Sequence, residues 1–251
     1  MTDVARIAMV GGAALIGGAV NAIAGGGSLI TFPALVAAGL PPVVASVTNT
    51  VAMCPGYLGA TLAQRKDLVG QGRRAAILLP FACAGGIGGA ALLLHTSHKT
   101  FEVIVPFLIL TAALLVGLQD SLRRWLLARV PAHHAELLAV IPIGLAAVYG
   151  GYFGAGMGVM VLAALGVVLA DSLIRINALK QTVSLVVNVS AALVFLVWGP
   201  IDWALTLVMA GAALVGGALG GVLSTRIPPA ALRWTVVVIG VGVSVVYFAK
   251  L

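Results

Sequence analysis

Ten apolar runs, most of them about 20 residues long and nearly free of charge, decide what this chain can fold into. They fall near 4–23, 28–40, 43–63, 75–95, 101–119, 136–153, 159–170, 174–197, 203–223 and 230–249. A helix rises about 1.5 Å per residue, so a run of that length crosses the roughly 30 Å hydrocarbon core of a bilayer. The runs are continuous in Leu, Val, Ala and Gly and do not alternate with polar residues, which excludes a membrane β-barrel. Of the 251 residues, 61% are hydrophobic and 8% charged, whereas soluble domains carry about 25% charge. The chain reads as an all-α, polytopic helical membrane protein with no room for a soluble domain.

Two of the runs are short, and each follows a glycine-rich interruption: "NAIAGGGSLITFP" at 21–33 and "GGYFGAGMG" at 150–158. After each break come the short run and three full spans, so the layout recurs about 130 residues later. "GGGSLITFPALVAAGL" (25–40) falls against "AGMGVMVLAALGVVLA" (155–170), and "SVTNTVAM" (46–53) against "NALKQTVSL" (177–185). Residues 1–130 are therefore read as a first repeat and 131–251 as a second, together one transmembrane transport domain. Each repeat is a broken, hairpin helix plus three transmembrane helices. If each hairpin returns to its starting side, the second repeat enters the bilayer from the opposite face, which makes the repeats inverted in topology.

Charge placement favours the hairpin. The net charge is +7, but the basic residues stand in short groups between spans, a topology signal rather than a nucleic-acid surface. One face collects Arg65, Lys66, Arg73, Arg74, Arg123, Arg124, Arg129, Arg175, Lys180, Arg226 and Arg233, eleven of the 14 basic residues; the other keeps Arg6, Lys99 and Lys250. The positive-inside rule makes the first face cytoplasmic and both termini external, in a bacterial inner membrane. Trp125, Trp198, Trp203 and Trp234 sit at span ends, where indole rings prefer the interface. The stretch 120–135, with Arg123, Arg124, His133 and His134, reads as a cytoplasmic loop, and Cys54 and Cys83 as structural residues inside helices. Arg6, the first apolar run and Ala22-Ile23-Ala24 imitate a signal peptide, but the pattern recurs in mid-chain and is expected to stay uncleaved.

Inside hydrocarbon, a backbone that leaves the helical ladder must find partners in the protein or line a water-filled cavity. Paired glycines such as Gly85, Gly86, Gly216 and Gly217 serve close helix approach, but the three adjacent glycines at 25–27 exceed what one packing face needs. Helix N-termini at such a break offer free amides and a partial positive charge to an anion. The polar residues able to join them are Asn21, Ser28, Thr31, Thr48, Asn49 and Thr50 in the first half, and Asn177, Lys180, Gln181, Thr182, Ser184 and Asn188 in the second. Lys180 is the one charge among them, with two roles open: snorkelling to the cytoplasmic interface, or contact with an anion. Asp3, Asp67, Glu102, Asp120, Glu136, Asp171 and Asp202 all fall at loops or span ends. A buried acid relay or cation site thus lacks ligands, and an anionic substrate fits better.

"AGGGSLITFPALVAAGLPPVVASVTNTVA" (24–52), with its weaker echo "GAGMGVMVLAALGVVLADSLIRINALKQTVSLVVN" (154–188), resembles the TauE/SafE family of sulfite exporter-type permeases, and the resemblance covers nearly the whole chain. It implies a small inverted-repeat permease that moves sulfite, sulfonates or related organosulfur anions, usually outward. Carried onto this chain, it implicates Gly25, Gly26, Gly27, Ser28, Pro33, Thr48 and Asn49, then Gly154, Gly156, Gly158, Asn177 and Lys180. Ala163 stands where a second proline would map, so the second hairpin is expected to bend less. The expected substrate cradle comprises the amides of Gly25, Gly26, Gly27, Gly156 and Gly158 with Ser28, Thr48, Asn49, Asn177 and Gln181; Lys180 supplies charge and Pro33 shapes the returning arm. Rocking of one repeat against the other would alternate access. A passive anion channel, a cation transporter and a carrier of another small anion stand as alternatives. An intramembrane enzyme with Ser28 as nucleophile fails because His95, His98, His133 and His134 lie at the wrong depth to act as its base. No cofactor, metal or nucleic acid is expected; the partners are a small anion and the lipid bilayer, with monomer and homodimer both open.

Overall fold

The computed structural model describes residues 3–127, 139–169, 171–224 and 229–249. Among them are ten helices and no strand: α1 (Asp3–Ile23), α2 (Ser28–Ala37), α3 (Pro42–Ala63), α4 (Gly72–His95), α5 (His98–Leu127), α6 (Val140–Tyr152), α7 (Met157–Val168), α8 (Leu173–Trp198), α9 (Trp203–Leu223) and α10 (Pro229–Phe248). α1, α4, α5, α8 and α9 contain stretches long and apolar enough to cross a membrane, so the chain is the polytopic all-α protein expected. At 22 residues α3 is also long enough, but it carries Ser46, Thr48, Asn49 and Thr50, all buried within the protein. Arg129, His133, His134, Glu136, Arg226 and Lys250 lie outside the described residues, as do the side chains of Asp120, Arg123, Arg124, Trp125 and Arg233. One boundary needs correction: the loop expected from residue 120 begins later, because α5 stays helical to Leu127. At about 1.5 Å per residue that helix of 30 residues is longer than the hydrocarbon core is thick.

The boundaries follow local chemistry. Pro42 opens α3 at a position whose amide has no intrahelical partner anyway. Asp202 caps α9 by accepting from the Leu205 amide at 3.0 Å, and Ser172 caps α8 by accepting from Arg175 at 3.4 Å. α1 ends because Gly25 turns left-handed, φ +82°, and α6 ends at Tyr152, two residues before Gly154, φ +81°.

Contacts at helix ends define two faces. Arg6 Nη2 lies 3.7 Å from Asp202 Oδ2, so α1 and α9 start on the same face. There α4 and α6 also end, with the Tyr152 hydroxyl 3.4 Å from Thr96 Oγ1. α5 begins where α10 finishes, with the Phe107 and Phe248 rings 4.9 Å apart. On the opposite face Gln64 Nε2, after α3, lies 3.5 Å from Ser224 Oγ, after α9. The two sequence halves interleave: α9 packs on α1 and α3, whereas α4 packs on α6 and α8. Small residues permit both unions. A Cβ on Gly217 would overlap the carbonyl oxygen of Gly56, one on Gly216 that of Leu15, and one on Gly89 that of Val148.

A charged cluster joins the halves on the face of Gln64. Asp171 accepts from Arg74 Nη1 at 2.6 Å and from Arg175 Nε at 3.0 Å. Arg175 Nη1 donates to the Val69 carbonyl at 3.0 Å and Gln71 Nε2 to the Arg175 carbonyl at 2.9 Å. The Arg74 guanidinium above all holds the Asp171 carboxyl down at about 2, outweighing the burial that opposes it; the ordinary value is 3.8. A carboxyl lowered on folding stabilises fully above its unfolded value and loses that contribution as pH falls through the folded one. Thermal unfolding in detergent should therefore show stability lost on acidification between about pH 5 and pH 2, and Asp171→Asn should lower stability at neutral pH and flatten the acid limb.

Candidate functional site

The two glycine breaks are built alike. Ala24 and Gly25 donate to the Val20 carbonyl at 2.7 and 3.2 Å; Phe153 and Gly154 donate to the Tyr149 carbonyl at 2.9 and 3.3 Å. On the far side, Ile30 and Thr31 donate to the Gly27 carbonyl at 3.0 and 3.2 Å, and Val159 and Met160 to the Gly156 carbonyl at 3.0 and 3.3 Å. Every partner is thus shifted by the same number of residues. The glycines fit the geometry: both helices terminate on a left-handed residue that a side chain would strain, and Gly156 caps α7 in the same region, φ +77°.

The breaks also meet. A Cβ on Gly25 would lie 3.0 Å from the Gly158 carbonyl carbon, and one on Gly158 3.0 Å from the Gly25 Cα. Backbone therefore touches backbone across about 130 residues of sequence. Thr31 and Phe32 of α2 are buried here, and the Phe32 ring stands edge-on to Phe153 of the second break, centroids 5.1 Å apart. α2 folds back along α1, since a Cβ on Gly27 would overlap the Gly17 carbonyl oxygen and one on Gly17 would lie 2.6 Å from Thr31 Cγ2. At 10 residues α2 reaches only about half the hydrocarbon thickness.

Among the described residues, the amides of Gly26, Gly27 and Ser28 and those of Ala155, Gly156 and Gly158 donate to no acceptor. These are the orphan donors of the α2 and α7 N-termini, directed away from their helices. Beside the first set, Asn49 Nδ2 donates to Ser28 Oγ at 3.2 Å and Thr31 Oγ1 donates to Asn49 Oδ1 at 2.5 Å.

The opposite pole of the break, the carbonyl end of α1, is met by α8. Lys180 Nζ donates to the Asn21 carbonyl at 3.3 Å, Gln181 Nε2 to the Ala22 carbonyl at 2.8 Å, and Asn177 Nδ2 to the same carbonyl at 3.3 Å. Lys180 is 1% exposed and two turns inside α8, so it does not snorkel. Its ammonium sits against the partial negative charge of a helix C-terminus, with two N–H groups to spare. Gln181 Oε1 and Asn177 Oδ1 are buried without a donor.

Of the residues proposed from sequence, Gly25, Gly26, Gly27, Ser28, Asn49, Gly156, Gly158, Asn177, Lys180 and Gln181 gather at the breaks. Thr48 does not: its Oγ1 accepts from the Asp202 amide at 3.1 Å, tying α3 to the start of α9. Pro33 lies inside α2 and lines an apolar groove of about 450 Å³ against Val238, Gly242 and Val246 of α10, not the break. Thr31 and the carbonyls of Asn21 and Ala22 also lie at the breaks, although the cradle expected from the sequence omits them. Thr31 stands one helical turn after Ser28, a spacing that puts both on one face; the carbonyls leave no trace in side-chain patterns. Among the described residues no group of His, Cys, Asp or Glu could hold a metal ion.

A family model described as "Sulfite exporter TauE/SafE" matches residues 10–247. The chain belongs to the TauE/SafE family. It is similar to "Probable membrane transporter protein YfcA" of Escherichia coli K12, 29% identical over 85% of this chain and 77% of the relative. A "Probable membrane transporter protein" of Haemophilus influenzae is 29% identical over 80% of this chain and 78% of its own length. "Probable membrane transporter protein ORF9" of a Sinorhizobium species is 29% identical over 83% and 79%. No solved structure matches. Both the family and these relatives are named for membrane transport and none for an enzymatic activity, so this TauE/SafE protein is a membrane transporter.

Proposed function

We propose that this TauE/SafE protein is a secondary carrier that exports sulfite, sulfonates or related organosulfur oxyanions across the bacterial inner membrane by alternating access. The observation that carries it is the meeting of the two breaks at Gly25 and Gly158, which brings two sets of unpaired helix-N-terminal amides to one place. An oxyanion needs several donors around it, and helix termini offer them without the desolvation cost of full buried charges. Ser28 and Asn49 add side-chain polarity on one side; Lys180, Gln181 and Asn177 act from α8. The family name supports a sulfite-like substrate. Residues 1–130 and 131–251 act as two inverted-topology repeats, a reading supported by the matched hydrogen-bond pattern of the two breaks and by the basic bias. The Arg-rich face lies in the cytoplasm and the termini outside, as the basic bias suggests.

Alternating access requires two bodies that move against each other. Because α9 is locked to α1 and α3, and α4 to α6 and α8, we assign the rocking bodies to these two trios rather than to the sequence halves.

Reconstitution into liposomes tests the reading. Radiolabelled sulfite should show saturable flux that accelerates with sulfite on the opposite side of the membrane. Non-saturating flux at a high unitary rate would make the protein a channel, and absence of any oxyanion flux would remove the substrate class.

A further inference from the structure

We propose that Thr31 is a positioning residue that sets the hydrogen-bond polarity of the first break and so makes it select oxyanions that carry no proton. The inference rests on the oxyanion-carrier reading above and deepens it.

The chain of contacts runs in one direction. Asn49 presents both ends of its amide to hydroxyls: Thr31 Oγ1 at 2.5 Å from Oδ1, and Ser28 Oγ at 3.2 Å from Nδ2. The shorter separation suits O–H···O and the longer suits N–H···O, which fixes which end of the amide faces which hydroxyl. Thr31 Oγ1 also lies 3.4 Å from the Gly27 carbonyl, but its one proton goes to the much nearer Asn49 Oδ1, and Asn49 donates one of its own to Ser28. Ser28 oxygen is occupied as an acceptor, so its own proton points elsewhere, and among the described residues no acceptor takes it. Thr31 is itself held, being fully buried with its methyl against Gly17, where a Cβ would come within 2.6 Å.

The consequence is chemical. Among the described residues the amides of Gly26, Gly27 and Ser28 have no acceptor while the Gly26 and Gly27 carbonyls are taken by Leu29, Ile30 and Thr31, so with the Ser28 hydroxyl the uncommitted polar groups of residues 26–28 are donors. A ligand oxygen that only accepts meets them all. An oxygen bearing a proton turns a donor toward donors, losing a bond and leaving a buried polar group unpaired, a cost of about tenfold in affinity. Without the Thr31 hydroxyl the Asn49 amide is free to turn over. Its Oδ1 would then accept the Ser28 proton, removing one donor from the break and relaxing the selection.

Methanesulfonate and methylphosphonate test this at mildly acidic pH, where both carry one negative charge on similar shapes and only the phosphonate carries a hydroxyl proton. Each is titrated as a competitor of labelled sulfite flux through the full-length protein in liposomes. Wild type should favour methanesulfonate by about tenfold or more; Thr31→Val should bring the ratio to about twofold, and Thr31→Ser should restore it. Ser28→Ala, which removes the donor itself, should collapse the ratio in the same way. A wild type that binds both alike, or a Thr31→Val or Ser28→Ala protein that keeps the wild-type ratio, overturns the inference while leaving the carrier reading intact. Absence of sulfite flux in wild type at alkaline pH, where sulfite carries no proton, overturns the carrier reading and this inference with it.

Discussion

Gly25→Ala is expected to abolish transport, whereas Gly39→Ala, at the other end of α2, is expected to leave it near wild type. Both glycines are left-handed, with φ of +82° and +95°, and an L side chain in that region costs about 1–2 kcal/mol. They differ in what surrounds them. A Cβ on Gly39 would meet nothing within 4 Å, but one on Gly25 would press on the Gly158 backbone at 3.0–3.2 Å. Backbone cannot rotate aside as a side chain can, so the two breaks would have to part. The pair of variants separates backbone strain from loss of the inter-break contact, read as liposome flux per folded protein together with thermal unfolding. Equal losses in both variants would mean that strain alone matters and that contact between the breaks has no role.

The second large effect is expected at Lys180. Lys180→Met should cut oxyanion flux by roughly 100-fold, the equivalent of losing a charge-assisted hydrogen bond worth about 2–3 kcal/mol. Folding should survive the change. The ammonium is buried against the Asn21 carbonyl, with no carboxylate bonded to it among the described residues, and replacing such a charge with an apolar chain of similar length removes a desolvation cost. The Ala22 carbonyl keeps Gln181 and Asn177 as donors. Flux and unfolding temperature should therefore separate, flux collapsing while stability holds or rises. A variant in which both fall together would reduce Lys180 to a structural cap of α1.

The two expectations draw on different levels of the molecule. That a break exists at 25–28, that it is paired with one at 154–158, and that Asn49, Asn177 and Lys180 flank them, could be read from the chain. Glycine runs between apolar stretches of bilayer length have few other uses, because unpaired backbone in hydrocarbon is so costly. Helix limits were legible for the same reason, failing mainly at α5, which continues to Leu127 through residues whose polarity imitates a loop. Polarity marks where water begins, and a helix is free to continue into water.

The side of a helix on which a polar group ends up was not legible. Thr48 and Asn49 are adjacent in sequence, yet a helix turns about 100° per residue. Asn49 reaches Ser28 and Thr31 at the break while Thr48 accepts from the Asp202 amide. Lys180 posed the same problem: depth along α8 allowed snorkelling, and only the position of the α1 carbonyl end settled its direction.

By itself, then, the sequence determined the class of solvent, the approximate place and length of the described helices, and the two places where the backbone must leave the helical ladder. Those properties follow from local composition, because hydrocarbon penalises each exposed peptide group independently of the rest of the fold. Tertiary structure alone decided that Gly25 touches Gly158, that α4 and α9 exchange partners between the halves, and that the donors of α8 close the carbonyl end of α1. Each is a contact between segments far apart in the chain. Its geometry depends on how small residues let backbones approach and on which face each helix presents, neither of which is encoded in any one stretch.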